Sequence, residues 1–347
     1  MKPIQTAIAS YGMSGIVFHG PLLENHTGFE IRKILERHRE NSAGKHPGAS
    51  LVREFDNLLK DSEIELIIIN TPDYLHHEMS VQALKAGKHI VVEKPFTLRT
   101  KEAEEIISLA KEKDLMVSVF QNRRWDGDFM TVKKVISEGS LGRLVSFESH
   151  FDRFRNYIQD SWKEEVSLGA GTLYNLGSHM IDQALHLFGM PDYLYADVRA
   201  QRKGSKVDDT FDIHLHYKDV KCLVRGSYLV KEQGPRYILH GTHGSFLKSG
   251  LDPQEQALKE GHKPVGDDWG ADDPAIYGIL NTEQDNADSR KTIPTLHGNY
   301  QAYYDNIYEH LRNGAELSVK PGEAADVIRI IEAAYESADK GITIRLK

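Results

Sequence analysis

Over its first 120 residues the chain alternates short apolar runs with helix-like stretches, and that rhythm restricts its fold more than any other feature. Ile4, Thr6 and Ile8 alternate with Gln5 and Ala7, and Phe29, Ile31 and Ile34-Leu35 suggest a second strand. Leu66-Ile67-Ile68-Ile69 is a continuous apolar run of the kind buried on both faces of a parallel sheet. His89 to Val92 and Met116 to Phe120 extend the series. Helices are expected between them, over 14–25, 54–60, 75–86 and 100–113. The last has Thr100 as its N-cap and Glu102, Glu104 and Glu105 near the positive end of its dipole. Strands and helices alternating through short links make βαβ units, so residues 1–121 are expected to form a doubly wound parallel sheet.

After Asn122 the rhythm changes, and from Leu144 strands follow one another with few helices between them, an antiparallel pattern. Strands are expected over 144–152, 193–201, 211–218, 221–229 and 236–241. In the third of these, Phe211, Ile213, Leu215 and Tyr217 share one face, opposite Asp212, His214 and His216. Residues 128–138, 175–188, 299–313 and 321–338 read as helices, with Pro321 at the start of the last and Gly341 beyond its end. The Gly-, Asp- and Pro-rich stretch 249–290 reads as a long loop with at most short helices. Residues 122–347 are thus expected to form a second, α+β domain, since 347 residues exceed the usual single-domain size.

Composition narrows the function. Apolar residues at 40% and charged residues at 27% describe a globular protein, and a net charge of -8 argues against nucleic acid or an anionic membrane surface as partner. No apolar stretch reaches the ~18–20 residues that span a bilayer, and the N-terminus has no secretory apolar region, so a cytoplasmic location is expected. Cys222 is the only cysteine, which rules out an intrachain disulfide or a cysteine zinc cluster.

Between the first strand and first helix stands Ser10-Tyr11-Gly12-Met13-Ser14-Gly15. A dinucleotide fingerprint places glycines for a tight turn, close approach of backbone to pyrophosphate, and helix–sheet packing; here Ser10 takes the first position while Gly12 and Gly15 keep the later two. Glu36 ends the second strand about 20 residues on, where an acid binds the adenosine ribose hydroxyls and favours NAD. Arg37 follows at once, and a guanidinium there suits the 2′-phosphate of NADP, so the cofactor is NAD or NADP with a lean to NAD from Glu36. Asn70, Thr71 and Pro72, followed by His76, can line the middle of the cofactor. The run Val91-Val92-Glu93-Lys94-Pro95 then carries an apolar strand into an acid, a lysine and a proline. A lysine at the carboxyl end of a parallel strand lies where ligands bind, as an ammonium able to grip a hydroxyl or carbonyl, and the X-Pro bond after it is one that can be cis.

With these pieces in order, the chain resembles the glucose-fructose oxidoreductase, inositol dehydrogenase and MocA family over nearly its whole length. The resemblance runs from Tyr11-Gly12-Met13-Ser14-Gly15 through Glu93-Lys94-Pro95 and Gly177-Ser178-His179-Met180-Ile181-Asp182 to Gly298-Asn299-Tyr300-Gln301-Ala302-Tyr303-Tyr304. Asn122-Arg123-Arg124-Trp125-Asp126, Trp269-Gly270-Ala271-Asp272 and His186-Leu187-Phe188-Gly189-Met190-Pro191 are similar to its scyllo-inositol dehydrogenase branch. The resemblance implies a second domain with a large open antiparallel sheet whose outer face joins subunits, hence a homodimer or homotetramer. The face bearing His214, His216 and Arg225 fits solvent equally well.

The implied activity is oxidation of a secondary alcohol on a cyclic polyol, sugar or sugar derivative. Such a reaction needs a base for the hydroxyl proton while the hydride goes to the nicotinamide. His179 matches the family's base, and Lys94 orients and polarises the reacting oxygen; Glu93 steadies that lysine or the nicotinamide ribose. On a helix Asn175, His179, Asp182 and His186 share one face. A metal site from His179, Asp182 and His186 fits the spacing, but nothing in the resemblance calls for metal. Where the family commonly has an aspartate, Asn175 stands, so a carboxylate role moves to Asp182 or is lost. Arg123, Arg124, Trp125 and Tyr300 are candidate substrate contacts, with Asp152, Arg153, Trp269, Asp272 and Tyr304 behind them. Asn175 also keeps open an alternative, a cofactor-binding sensor with little turnover, and redox-assisted lyase or glycosidase chemistry is a third reading.

Overall fold

The computed structural model describes residues 2–159, 164–284 and 287–346. By internal contacts the chain divides into two compact units. The first comprises Met1–Trp125, Pro253–Trp269 and Asn299–Ala325, and the second Asp126–Asp252, Gly270–Gly298 and Asp326–Lys347.

The first unit holds six parallel strands: β1 (Ile4–Ile8), β2 (Phe29–Leu35), β3 (Ser50–Val52), β4 (Leu66–Ile69), β5 (His89–Val92) and β6 (Val117–Val119). Their order is β3-β2-β1-β4-β5-β6, the doubly wound arrangement expected. Every residue of β4 is fully buried, as its unbroken apolar run requires. Because the sequence reverses direction between β1 and β4, the carboxyl ends of β1, β2, β4 and β5 collect the Gly-containing turn, Glu36, Asn70 and Glu93-Lys94 on one edge. The short β3 was not foreseen; its three residues carry too little pattern to read.

After the first turn a π-helical segment, Gly15–His19, continues as α1 (Gly20–Glu24). Then come α2 (Asp56–Leu59), α3 (His76–Lys85) and α4 (Thr100–Lys113). The expected N-cap of α4 needs correction. Arg99 is the cap and Thr100 the first helical residue, and Glu102 Oε2 accepts from the N–H groups of Leu98 and Arg99, both at 3.1 Å.

The second unit contains α5 (Gly127–Ser137), β7 (Leu144–Asp152), a π-helical segment Leu173–Gly177 leading into α6 (Ser178–Phe188), β8 (Tyr193–Arg199), β9 (Thr210–His216), β10 (Lys221–Ser227), β11 (Tyr237–Gly241) and β12 (Gly244–Lys248). Back in the first unit lie α7 (Gln254–Lys259) and α8 (Gln301–Asn313). The second unit adds β13 (Gly278–Gln284), β14 (Ala287–Ile293), most of α9 (Pro321–Lys340) and β15 (Ile344–Arg345). Its strands form one sheet, β14-β13-β12-β11-β7-β10-β9-β8-β15, antiparallel except for the β7–β10 pair. Phe211, Ile213 and Leu215 are buried on one face of β9, while Tyr193 stacks on His216 on the other.

The stretch 249–290 is corrected as well: besides the short α7 it carries β13 and the start of β14, paired in register from Gly278↔Ile293 to Gln284↔Ala287. Part of that expected loop, residues 285–286, lies outside the described residues. Polar strands such as Asn281-Thr282-Glu283 show no alternation to read; they are strands because β12 offers them hydrogen bonds. Among the described residues no helix is long and apolar enough to cross a membrane.

Candidate active site

The turn after β1 is shaped for close approach. A Cβ on Gly15 would sit 2.6 Å from the Ser10 carbonyl oxygen, so only glycine closes it, whereas the same atom on Gly12 meets nothing nearer than Ser10 Oγ at 3.7 Å. Asn70, at the end of neighbouring β4, donates to the Ser10 carbonyl at 2.7 Å and to Ser14 Oγ at 3.3 Å. Its Oδ1 and the Thr71 hydroxyl are buried with no hydrogen-bond partner among the described residues. Buried polar atoms almost always find a partner in protein, water or ligand. Met13 is exposed, and Tyr11 is buried with its hydroxyl on His46 Nε2; burial, with Glu24 and Glu36 nearby, raises that phenol to about 12.

A groove of about 320 Å³ opens here, lined by the Ser10–Gly12 turn, Glu36–Arg39, Asn41 and Thr71-Pro72. Glu36 is only 5% exposed, and its carboxylate accepts the backbone N–H groups of Asn41 and Ser42, both at 2.8 Å. Its carbonyl takes Arg53 Nη1 at 2.9 Å. Glu36 therefore folds the loop behind it, and the side chains this leaves on the groove are the exposed Arg37, His38 and Arg39. An open glycine turn, unsatisfied polar atoms and cationic side chains at its far end fit a dinucleotide, which Ser10–Gly15, Arg37, Asn70 and Thr71 would hold.

At the other end of the same sheet edge, β5 delivers Glu93 and the partly exposed Lys94, and the Lys94-Pro95 bond is cis. Glu93 Oε1 lies 3.0 Å from His19 Nε2, and its Oε2 accepts the Lys94 N–H at 3.1 Å. Burial by itself raises the Glu93 carboxyl, but the His19 hydrogen bond and the charge of Lys94 outweigh it and hold the group below its usual range. Buried His76 sets Nδ1 against the Pro95 carbonyl at 2.9 Å and Nε2 against the Thr71 carbonyl at 3.0 Å, tying the ends of β4 and β5 together.

The candidates after β6 are anchored to protein groups. Arg123 pairs with Glu255 on α7, and Arg124 donates to the Ser318 carbonyl and to Glu323, both at 2.8 Å. Trp125 packs edge-on to Tyr303. Tyr300 is fully buried against Phe18, its N–H bonded to Gln254 Oε1 at 2.8 Å, and the Trp269 indole donates to the same oxygen at 3.1 Å. Tyr304 is buried too, its hydroxyl 2.6 Å from His19 Nδ1. His19 itself had no sequence signal beyond following the nucleotide turn.

In the second unit His179 and Asp182 are buried on α6, while Asn175 lies in the preceding π-helical segment. A π turn holds more residues than an α turn, so Asn175 does not keep the regular helical spacing to His179. His186 Nε2 meets Lys133 Nζ at 2.9 Å. Asp272 accepts from the buried Lys248 at 2.7 Å, and the Arg153 guanidinium lies over Phe151. Asp152 ends β7, 3.9 Å from His150. No three His, Cys, Asp or Glu side chains among the described residues converge as ligands for a metal ion.

Two family models cover the chain. Residues 4–121 match the NAD-binding Rossmann fold of the Gfo/Idh/MocA oxidoreductases and residues 133–346 their C-terminal alpha/beta domain, so the chain belongs to this family and is an NAD(P)-dependent dehydrogenase. Among its relatives is the scyllo-inositol 2-dehydrogenase (NADP(+)) IolW of Bacillus subtilis, 44% identical across 99% of this chain and 96% of that one. A solved structure described as an oxidoreductase, YvaA of Bacillus subtilis, superimposes with a TM-score of 0.97 at 44% identity, covering 100% of this chain and 99% of the other. Another, described as an oxidoreductase of Bacteroides fragilis, gives 0.92 at 48% identity, covering 99% and 100%.

Proposed function

We propose that the protein transfers hydride between a secondary alcohol of a cyclic polyol, sugar or sugar derivative and a nicotinamide cofactor, with NADP preferred over NAD. When bound, the nicotinamide takes up or returns the hydride. The observation that carries the reading is Lys94, set at the carboxyl end of a parallel strand beside a mostly enclosed, ionised Glu93. An ammonium in that place donates to the reacting oxygen and stabilises the negative charge that develops as its proton leaves. His179, matching the family's base, receives that proton in this reading, and Asn175 and Asp182 bind substrate hydroxyls beside it on the second unit. Arg123, Arg124, Trp125 and Tyr300 act indirectly, by holding the segment after β6.

The NADP preference is supported by the occupation of Glu36. The acid that speaks for NAD in sequence spends its carboxylate on Asn41 and Ser42, while Arg37, His38 and Arg39 are exposed on the groove, where guanidinium groups suit a 2′-phosphate. The NADP(+) in the name of IolW agrees with this. Subunit pairing through the exposed face of the second sheet, giving a homodimer or homotetramer in the cytoplasm, belongs to the same proposal.

A panel of inositols and aldoses run with NADP and NAD tests the reading. Turnover of at least one polyol with NADP, lost by about 10³-fold or more in Lys94→Ala while NADPH still binds, is the expected result. Full turnover in Lys94→Ala would end the assignment.

A further inference from the structure

We infer that His19 is a positioning residue for Lys94, acting through the Glu93 carboxylate as the middle link of a chain that begins at Tyr304. The inference rests on the role proposed for Lys94 above. His19 closes the π-helical segment that follows the nucleotide turn, and it is fully buried. Its ring nitrogens have different partners: Nε2 faces Glu93 Oε1 at 3.0 Å and Nδ1 faces the Tyr304 hydroxyl at 2.6 Å.

With the His19 ring neutral, the donors and acceptors fall into one order. An ionised carboxylate only accepts, so the proton between Glu93 and His19 sits on Nε2. A neutral ring protonated there leaves Nδ1 as an acceptor, and the Tyr304 hydroxyl donates to it. That phenol keeps its proton, because burial, with Tyr303 and Glu93 nearby, pushes its pKa well above the usual value. The sequence of bonds is therefore Tyr304 O–H to His19 Nδ1, then His19 Nε2–H to Glu93 Oε1, with Glu93 Oε2 accepting the backbone N–H of Lys94 at 3.1 Å.

The far end of the chain is fixed. Tyr304 lies on α8 with its ring against Phe29, Phe120 and Tyr303, and the Tyr303 hydroxyl is itself bonded to Ser118 on β6 at 3.0 Å. A tyrosine packed this way has one rotamer, so the imidazole it orients has one as well. Glu93 then has a donor at each oxygen and holds its charge in one place beside Lys94. Their attraction is mutual: the Lys94 charge lowers the Glu93 carboxyl, and the anion in turn steadies the ammonium. A hydrophobic trio would fill the same volume without fixing that charge, so the arrangement serves Lys94 as well as packing.

The test uses paired substitutions in the intact enzyme. The His19→Gln amide reaches the Nε2 position and still donates to Glu93; the His19→Asn amide reaches only the Nδ1 position and leaves Glu93 without its donor. His19→Asn is expected to lower kcat by about 10- to 100-fold, the scale of a misplaced catalytic group, with KM for substrate and NADPH affinity within a few-fold of wild type. His19→Gln is expected to recover most of kcat. The double variant His19→Asn/Glu93→Gln should be no slower than Glu93→Gln alone, since both act on one contact. Tyr304→Phe keeps the packing and should lose a few-fold. Unchanged kcat in His19→Asn, equal loss in His19→Asn and His19→Gln, or additive loss in the double variant would each overturn the inference. Lys94→Ala assayed in parallel separates the two readings. If it is active both fall, and if it is inactive while His19→Asn is unaffected only this one does.

Discussion

Glu36 and Glu93 each follow a strand of the same parallel sheet, and each looks in sequence like a ligand-binding acid, yet the fold gives their carboxylates to the protein in different ways. Glu36 is held by two backbone N–H groups of the loop it precedes, whereas Glu93 is held by a side-chain N–H from His19 and the backbone N–H of Lys94. Backbone donors turn an anion into a determinant of loop shape, and at Glu36 the consequence is which side chains reach the groove. A side-chain donor turns an anion into a fixed charge, and at Glu93 the consequence is the electrostatics around Lys94. An acid at a strand end can thus shape a ligand site through the protein groups it holds.

The comparison breaks or sharpens by substitution. Glu93→Gln should cut kcat by about 10²-fold with NADPH affinity nearly unchanged, because a misplaced catalytic group costs rate before binding. Steady-state kinetics beside fluorescence titration of NADPH would separate the two quantities. Arg37→Ala combined with Arg39→Ala should weaken NADPH by roughly 10-fold relative to NADH, the scale of one lost charge-assisted contact, and leave kcat at saturation alone. Equal effects on both cofactors would remove the 2′-phosphate from the argument. Glu36→Gln turns an acceptor into a donor facing an N–H, which should cost about 1–3 kcal/mol of stability and loosen the loop, read as a lower Tm and a weaker NADPH complex with kcat unchanged.

The smallest effect concerns pH. Because the Glu93 carboxyl lies below its ordinary 4.5 in the folded chain, the unfolded chain takes the proton first as pH falls. Its contribution to stability is present above that ordinary value and is lost on acidification through the folded one. Wild type and Glu93→Gln should therefore differ by a constant Tm increment above about pH 5 and converge in stronger acid. A difference that grows toward alkaline pH would reverse the sign and count against an ionised, hydrogen-bonded Glu93.

Much of the first unit was legible because burial on both faces writes itself into the chain: Leu66-Ile67-Ile68-Ile69 has no polar position to hide, and β4 lies where that run predicts. The Gly12 and Gly15 turn was legible for a steric reason, since a Cβ on Gly15 would strike the Ser10 carbonyl. Strands β12, β13 and β14 were not, because a polar strand such as Gly278–Gln284 is set by its neighbours' hydrogen bonds and not by its own pattern. The site divides similarly. Lys94 announces itself as a charge after an apolar strand, while His19 carries no mark in sequence that its ring meets a carboxylate 74 residues later and a phenol 285 residues later.

By itself the sequence determined the parallel nucleotide-binding unit, the open turn after β1, the place of Lys94 at a strand end and the family, since each depends on local pattern or on short motifs. Only the tertiary structure decided that residues 253–269 and 299–325 fold with the first 125, that Glu36 serves its own loop, and that Tyr304, His19 and Glu93 form one chain of hydrogen bonds. The physical reason is range. Burial and sterics act on neighbours along the chain, whereas a hydrogen bond between side chains depends on distances and angles that exist only after distant segments have packed.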